Sequence, residues 1–149
     1  MLRKQGILTA VGRTPAVELK KLFRNSRLRV FAKLEGFNPG GSSKDRAALE
    51  MVKEGIHSGQ IGPQTVIIES SSGNMAISLA MICRCLGLKF ICVIDPKTTR
   101  ENRSILQTLG AVIDCVEQPD PAAGEYLPAR LRRVQELLAQ EKNGFWPNQ

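Results

Sequence analysis

The chain has 149 residues, 42% of them hydrophobic and 23% charged, with a formal net charge of +7. That length is about one domain's worth of chain and suffices for a buried core, and the composition is that of an ordinary globular protein rather than a disordered or fibrous one. No apolar run approaches the ~20 residues of a membrane span, and Met1–Gly12 lacks the apolar stretch of a signal peptide.

None of the four cysteines, Cys83, Cys85, Cys92 and Cys115, forms a Cys-x-x-Cys pair, and His57 is the only histidine. The usual zinc-ligand spacing is therefore absent, and no metal is expected. Apolar neighbours around Cys83, Cys92 and Cys115 suggest buried thiols in a reducing, cytoplasmic setting. Much of the positive excess falls at Lys20–Arg29 and Arg130–Arg133. The first has one aromatic, Phe23, and the second none, so neither offers a series of rings for stacking bases. Solvated surface charge is the expected reading, with no nucleic-acid partner, and such a surface also suits an anionic metabolite.

In chain order, Gly12-Arg13-Thr14-Pro15 reads as a turn before a short extended piece, Val17–Leu19. Residues Arg27–Leu34 alternate, with Leu28, Val30 and Ala32 on one side and Arg29, Phe31 and Lys33 on the other, which predicts a strand. Next comes Asn38-Pro39-Gly40-Gly41-Ser42-Ser43-Lys44-Asp45-Arg46, where a proline and two glycines mark a tight loop. Ser42 followed three residues later by Asp45 reads as a helix start, so Lys44 stands where loop becomes helix. The positive end of a helix dipole works against an ammonium, and a neutral amine is the form that attacks a carbonyl. A solvated first-turn lysine is the plain alternative.

Ala48, Met51, Val52 and Ile56 recur at helical spacing, and Gly59 and Gly62-Pro63 end that helix. Thr65–Glu69 is a short apolar, β-branched run of the kind found in buried strands. Ser70-Ser71-Ser72-Gly73-Asn74 follows, then Met75–Ile82, apolar nearly all round, as in a helix packed on more than one side. Lys89–Ile94 and Ala111–Val116 read as further strands. Between them lie the loop Asp95–Thr99 and a helix carrying Asn102, Ile105, Leu106 and Leu109. After the turn Gln118–Gly124, the residues Leu127, Leu131, Val134 and Leu138 mark an amphipathic helix that ends at Asn143-Gly144. Strand–helix alternation of this kind predicts an α/β fold, a parallel sheet with helices on both faces in a three-layer αβα arrangement.

Ligands of open α/β sheets bind at the carboxyl ends of the strands, where the lysine loop, Ser70–Asn74 and Asp95–Thr99 fall. Small polar residues between a buried strand and a buried helix gather backbone N–H groups at a helix N-terminus, a seat for a carboxylate or phosphate. Simple N-capping is the competing reading. No Gly-x-Gly-x-x-Gly and no phosphate-binding P-loop occurs, which argues against a dinucleotide enzyme. His57, beside Ser58-Gly59 at the far end of its helix, is expected to be exposed or helix-capping rather than catalytic.

With the lysine and serine loops both present, the chain resembles the fold-type II pyridoxal-phosphate (PLP) enzymes of the cysteine synthase and cystathionine β-synthase family. Gly12-Arg13-Thr14-Pro15 is similar to that family's Gly-Asn-Thr-Pro start, Asn38–Arg46 to its lysine motif, and Glu69–Asn74 to its substrate-carboxylate loop. The resemblance implies that Lys44 carries PLP and removes the substrate's α-proton. It implies that Asn74 hydrogen-bonds the cofactor's 3′ oxygen, and that Ser71, Ser72, Gly73 and the backbone of Met75 hold the amino acid's carboxylate. Two stretches depart from the usual pattern: Met75-Ala76 replaces Thr-Gly, and Ile94–Asn102 replaces Met-Pro-x-x-Met-Ser. With Pro119–Pro128, they look like the siderophore-associated 2,3-diaminopropionate biosynthesis subgroup. That implies β-replacement of O-phospho-L-serine by L-glutamate, giving N-(2-amino-2-carboxyethyl)-L-glutamate and phosphate. Cysteine synthesis from O-acetylserine or O-phosphoserine with sulfide is the alternative reaction. A non-catalytic amino-acid-binding or interaction module is the alternative of another class.

Family members are longer than this chain and form two α/β domains, commonly as homodimers, with the phosphate cradle in the second half. The resemblance thus implies an N-terminal half. Residues 1–37 would be an opening segment that packs on the large domain, 38–144 the small α/β domain, and 145–149 the start of the link onward. The chain by itself is expected to bind PLP weakly and to be inactive, with no useful turnover.

Overall fold

A computed structural model describes residues 6–22 and 27–149. Met1–Gln5, together with Phe23 and Arg24 of the first basic cluster, lie outside the described residues. After a 3-10 turn at Gly6–Ala10, β1 (Ala16–Glu18) and β2 (Phe31–Lys33) pair antiparallel, Ala16 opposite Lys33. The strand expected over Arg27–Leu34 is thus shorter than its alternation implied. Neither side of that alternation reaches a core: Leu28 and Phe31 are exposed, as is Val17 on β1. Arg29 instead lies over the Phe31 ring, 5.0 Å from its centroid, and makes a two-pronged contact with Glu18. A second 3-10 turn, Glu35–Phe37, leads into the lysine loop.

The remaining elements follow in order: α1 (Lys44–His57), β3 (Val66–Ser70), α2 (Asn74–Leu86), β4 (Lys89–Ile94), α3 (Arg100–Thr108), β5 (Val112–Cys115), α4 (Tyr126–Gln140) and β6 (Gly144–Phe145). The four strands form one parallel sheet in the order β5-β4-β3-β6. Successive side chains of a strand point to opposite faces, and the core divides accordingly. Ile67, Phe90, Cys92 and Ile94 join Val52 of α1, Leu79 and Ile82 of α2 and Leu106 of α3. Val66, Ile68, Ile91 and Val93 meet Val134 and Leu137 of α4. The direction of travel explains this split. Crossovers through α2 and α3 advance towards β5, whereas α4 returns across the sheet to β6, and crossovers of one hand put a returning helix on the other face. The three-layer αβα arrangement expected from the alternation is the one observed.

Helix α2 is buried from Met75 through Cys83, which its nearly continuous apolar surface requires. It stops at Gly87, whose φ of +70° lets the Leu88 N–H turn back onto the Cys83 carbonyl. Cys83 and Cys92 are buried free thiols, pushed up to about 12 by burial, while Cys85 is exposed and Cys115 half-buried. His57 is exposed at the last position of α1.

The basic run on α4 corrects the expectation of solvated charge. Arg133 grips Asp114 of β5 at 2.9 Å and also reaches Glu136, and Arg132 pairs with Asp120 at 2.8 Å. Arg130 is the most enclosed, its side chain 14% exposed and 3.4 Å from Asp95. Its Nε and Nη1 are buried without a hydrogen-bond partner among the described residues. These arginines fasten α4 to the strand ends, so part of the +7 charge is structural. Phe145–Gln149, set apart in the sequence as the start of a link, lie against the sheet. Phe145 pairs opposite Ile67, the Trp146 indole donates to Glu69 Oε1 at 2.9 Å, and the Gln149 N–H reaches Glu69 Oε2 at 3.3 Å. Among the described residues, no helix is long and apolar enough to cross a membrane.

Candidate functional site

The lysine loop is built around Asp45. This carboxylate is fully buried, one residue after Lys44, and turns back to accept the N–H of Gly40. On its other side it accepts from the hydroxyl of Ser78 in α2, and that hydroxyl also lies 2.9 Å from the Asn74 carbonyl. A chain of contacts thus runs Gly40–Asp45–Ser78–Asn74 and ties the two helix N-termini together. Gly40 has to be glycine, because a Cβ there would stand 2.3 Å from Asp45 Oδ1. Ser42 Oγ accepts the Lys44 N–H at 3.2 Å, a local hydroxyl cap in place of the Ser42–Asp45 pair read from the sequence. Lys44 is half-buried at the first position of α1, and its amine has no hydrogen bond or ion pair among the described residues.

A second network fixes this loop to the start of the chain. Glu35 receives Arg46 through two nearly parallel contacts of 2.9 Å, the geometry that makes an arginine–carboxylate pair strong. It also accepts from Thr14 at 3.0 Å and from the Asn38 amide at 2.7 Å. Arg46 further donates to the Gly12 carbonyl at 2.9 Å, and Asn38 Oδ1 accepts the Gly12 N–H at 2.8 Å. Gly12 has φ +81° and would carry its Cβ 2.8 Å from Arg46 Nη1, so glycine is required there too. The Arg46 guanidinium, aided by Asn38 and Thr14, holds the Glu35 carboxyl down at about 2. Both ends of the Asn38–Arg46 stretch, and Gly12-Arg13-Thr14-Pro15, thus meet on one carboxylate. The sequence reading missed Glu35, because a single acid between strand and loop has no periodicity to announce it.

The serine loop lies between β3 and α2, in parallel with the loop after β4. Ser71, Ser72 and Gly73 are half-buried, Asn74 is exposed, and the Met75 side chain is buried at 2%. Met75 therefore offers only its backbone to the crevice, while its side chain belongs to the core. The loop carbonyls are turned inward: Ser71 O accepts from Cys92 Sγ at 3.1 Å, and Ser72 O from the Asn102 amide at 2.8 Å. The N–H groups of Ser72, Gly73, Asn74 and Met75 have no partner among the described residues, as expected at a helix N-terminus. Unpartnered N–H groups at a helix N-terminus are the kind of donor set that suits an anion. The Asp95–Thr99 loop beside it is braced by Arg103, which donates to the Asp95 carbonyl at 2.9 Å and the Thr98 carbonyl at 3.3 Å. The Asp45–Ser78 contact thus brings the first turn of α1, where Lys44 stands, against α2, whose start carries Asn74 and the N–H groups of Ser72–Met75.

The chain matches the family described as "Pyridoxal-phosphate dependent enzyme" over residues 7–149. It is 47% identical over 143 residues to the N-(2-amino-2-carboxyethyl)-L-glutamate synthase of Cupriavidus metallidurans, covering 96% of this chain and 42% of that protein. The protein of the same name from Ralstonia nicotianae is also 47% identical, with 97% and 43% covered. Among solved structures, a hydrogen sulfide-producing enzyme from Fusobacterium nucleatum superposes with a TM-score of 0.85 at 34% identity, covering 96% of this chain and 45% of that one. O-ureido-L-serine synthase gives a TM-score of 0.78 at 31% identity, with 95% and 42% covered. The chain thus spans less than half the length of the curated relatives it matches. With the match running from residue 7 to the last residue, over the lysine loop and the serine loop alike, the chain belongs to the pyridoxal-phosphate dependent enzyme family.

Proposed function

We propose that the complete protein catalyses β-replacement on O-phospho-L-serine, with the amine of L-glutamate taking the place of phosphate at Cβ to give N-(2-amino-2-carboxyethyl)-L-glutamate. The observation that carries this reading is 47% identity, over nearly the whole chain, to two proteins bearing that name. The residues present fit PLP: Lys44 brings a half-buried primary amine with no partner among the described residues and Asn74 is exposed, on helix starts that Asp45 and Ser78 lock together. When bound, PLP supplies an electron sink for charge that develops at the substrate's Cα. Lys44 would hold the cofactor, and its Nζ would take the α-proton. Asn74 would donate to the cofactor's ring oxygen. Ser71, Ser72, Gly73 and the Met75 N–H would seat the substrate carboxylate and so aim its Cα–H at Lys44. Residues 1–37 would pack on a second domain, 38–144 would form the domain that carries the seat, and 145–149 would lead onward.

Adding PLP to the complete protein should produce a visible absorbance band, and Lys44→Ala should abolish it. An unchanged band in that variant removes Lys44 from the role. The product assay offers glutamate and sulfide in turn with phosphoserine. Glutamate adduct is expected; sulfide as the sole accepted nucleophile would overturn the substrate assignment.

A further inference from the structure

The serine loop can seat a carboxylate only if its N–H groups face the crevice; α2 itself sets the Asn74 N–H, because the Ile77 N–H holds the Gly73 carbonyl at 3.3 Å, but the Ser72 and Gly73 N–H groups lie before that first helical bond. A trans peptide unit points its C=O and the next N–H in opposite directions, so holding the carbonyl orients the amide. Two consecutive units are held in this way. Cys92, on β4 and fully buried, donates to the Ser71 carbonyl at 3.1 Å, which turns the Ser72 N–H outward. Asn102, in the first turn of α3, donates to the Ser72 carbonyl at 2.8 Å, which turns the Gly73 N–H outward. Asn102 is itself anchored, because its N–H donates to the Thr99 hydroxyl that caps α3. Both donors reach the loop from distant stretches of chain, 21 and 30 positions away.

We propose that Asn102 and Cys92 are positioning residues of the substrate-carboxylate seat, each setting one backbone N–H through the carbonyl it holds. The proposal rests on the β-replacement reading for the identity of the bound anion. Burial keeps the Cys92 thiol protonated far above neutral pH, so it remains a donor. Asn102→Leu keeps the side chain's shape and removes the donor to the Ser72 carbonyl; Cys92→Ala removes the donor to the Ser71 carbonyl together with the sulfur, and Cys92→Ser keeps a donor there.

Two readouts test the pair in the complete, PLP-loaded protein: steady-state kinetics with varied phosphoserine, and the backbone amide resonances of Ser72 and Gly73. Loss of one such hydrogen bond is expected to raise KM about tenfold, with kcat changed less than KM. The Gly73 amide should move in Asn102→Leu and the Ser72 amide in Cys92→Ala, while Cys92→Ser stays near the unaltered protein on both measures. An unchanged KM, or a loss of activity without a local amide shift, overturns the proposal. If the unaltered protein does not use phosphoserine, the β-replacement reading fails by itself, and the amide resonances alone decide the positioning role.

Discussion

At the scale of single residues, the site depends on two carboxylates that are never expected to meet substrate. Asp45 receives the Gly40 N–H and the Ser78 hydroxyl while fully buried, so the lysine loop and α2 share one acceptor. Gly40→Ala would drive a methyl group into that carboxylate, and its cost is expected to be about 1–3 kcal/mol in denaturant unfolding. Glu35 makes a prediction in pH. Arg46 lowers its carboxyl from 4.5 to about 2 in the folded protein, so the folded state binds its proton less readily than the unfolded one. The resulting stability is complete above 4.5 and is lost as pH falls from there towards 2. Unfolding measured across that window should show a steep acid limb that Glu35→Gln flattens. Asp120 and Glu18 are lowered too, so the diagnostic quantity is the difference between the two proteins. The place of Lys44 at the first position of α1 was legible in the sequence because proline, paired glycines and a helix start surround it. Glu35, Cys92 and Asn102 were not, because their partners lie far along the chain and no local pattern encodes them.

Among the elements, those with a buried face were the ones the sequence could announce. Strands β3 and β4 are continuous apolar runs because helices cover them on both sides, and α2 is apolar nearly all round because it is enclosed. The alternation over Arg27–Leu34 looked like a strand by the same logic, yet only Phe31–Lys33 pairs; Leu28 and Phe31 are exposed, and Val30 and Ala32 are no more than half-buried. The arginines of α4 were misread for a related reason. Charge composition alone does not reveal that Asp95, Asp114 and Asp120, from other parts of the chain, wait opposite them. Helix α3 offers a test at this scale. Thr99 caps it through the Asn102 N–H, and Thr99→Ala is expected to cost about 1 kcal/mol of stability. Hydrogen exchange should locate the loosening in the first turn of α3 and in the serine loop that Asn102 holds.

For the molecule as a whole, one sheet carries both halves of the core, and this predicts how it unfolds. Trp146 is the only tryptophan, and its indole is tied to Glu69 on β3. Its fluorescence should therefore change together with far-ultraviolet circular dichroism in a single transition; two separated midpoints would mean that β6 opens independently of the sheet. The position of β6 has one more consequence, for the order of assembly. Strands β3, β4 and β5 are joined by short crossovers, whereas the Trp146–Glu69 contact spans 77 positions. Closing such a long loop costs more entropy and comes later than local pairing. During synthesis the free edge of β3 accordingly stays open until Phe145 and Trp146 have left the ribosome, and for that interval the nascent chain displays an unpaired, apolar strand edge of the kind that recruits chaperones or wrong partners.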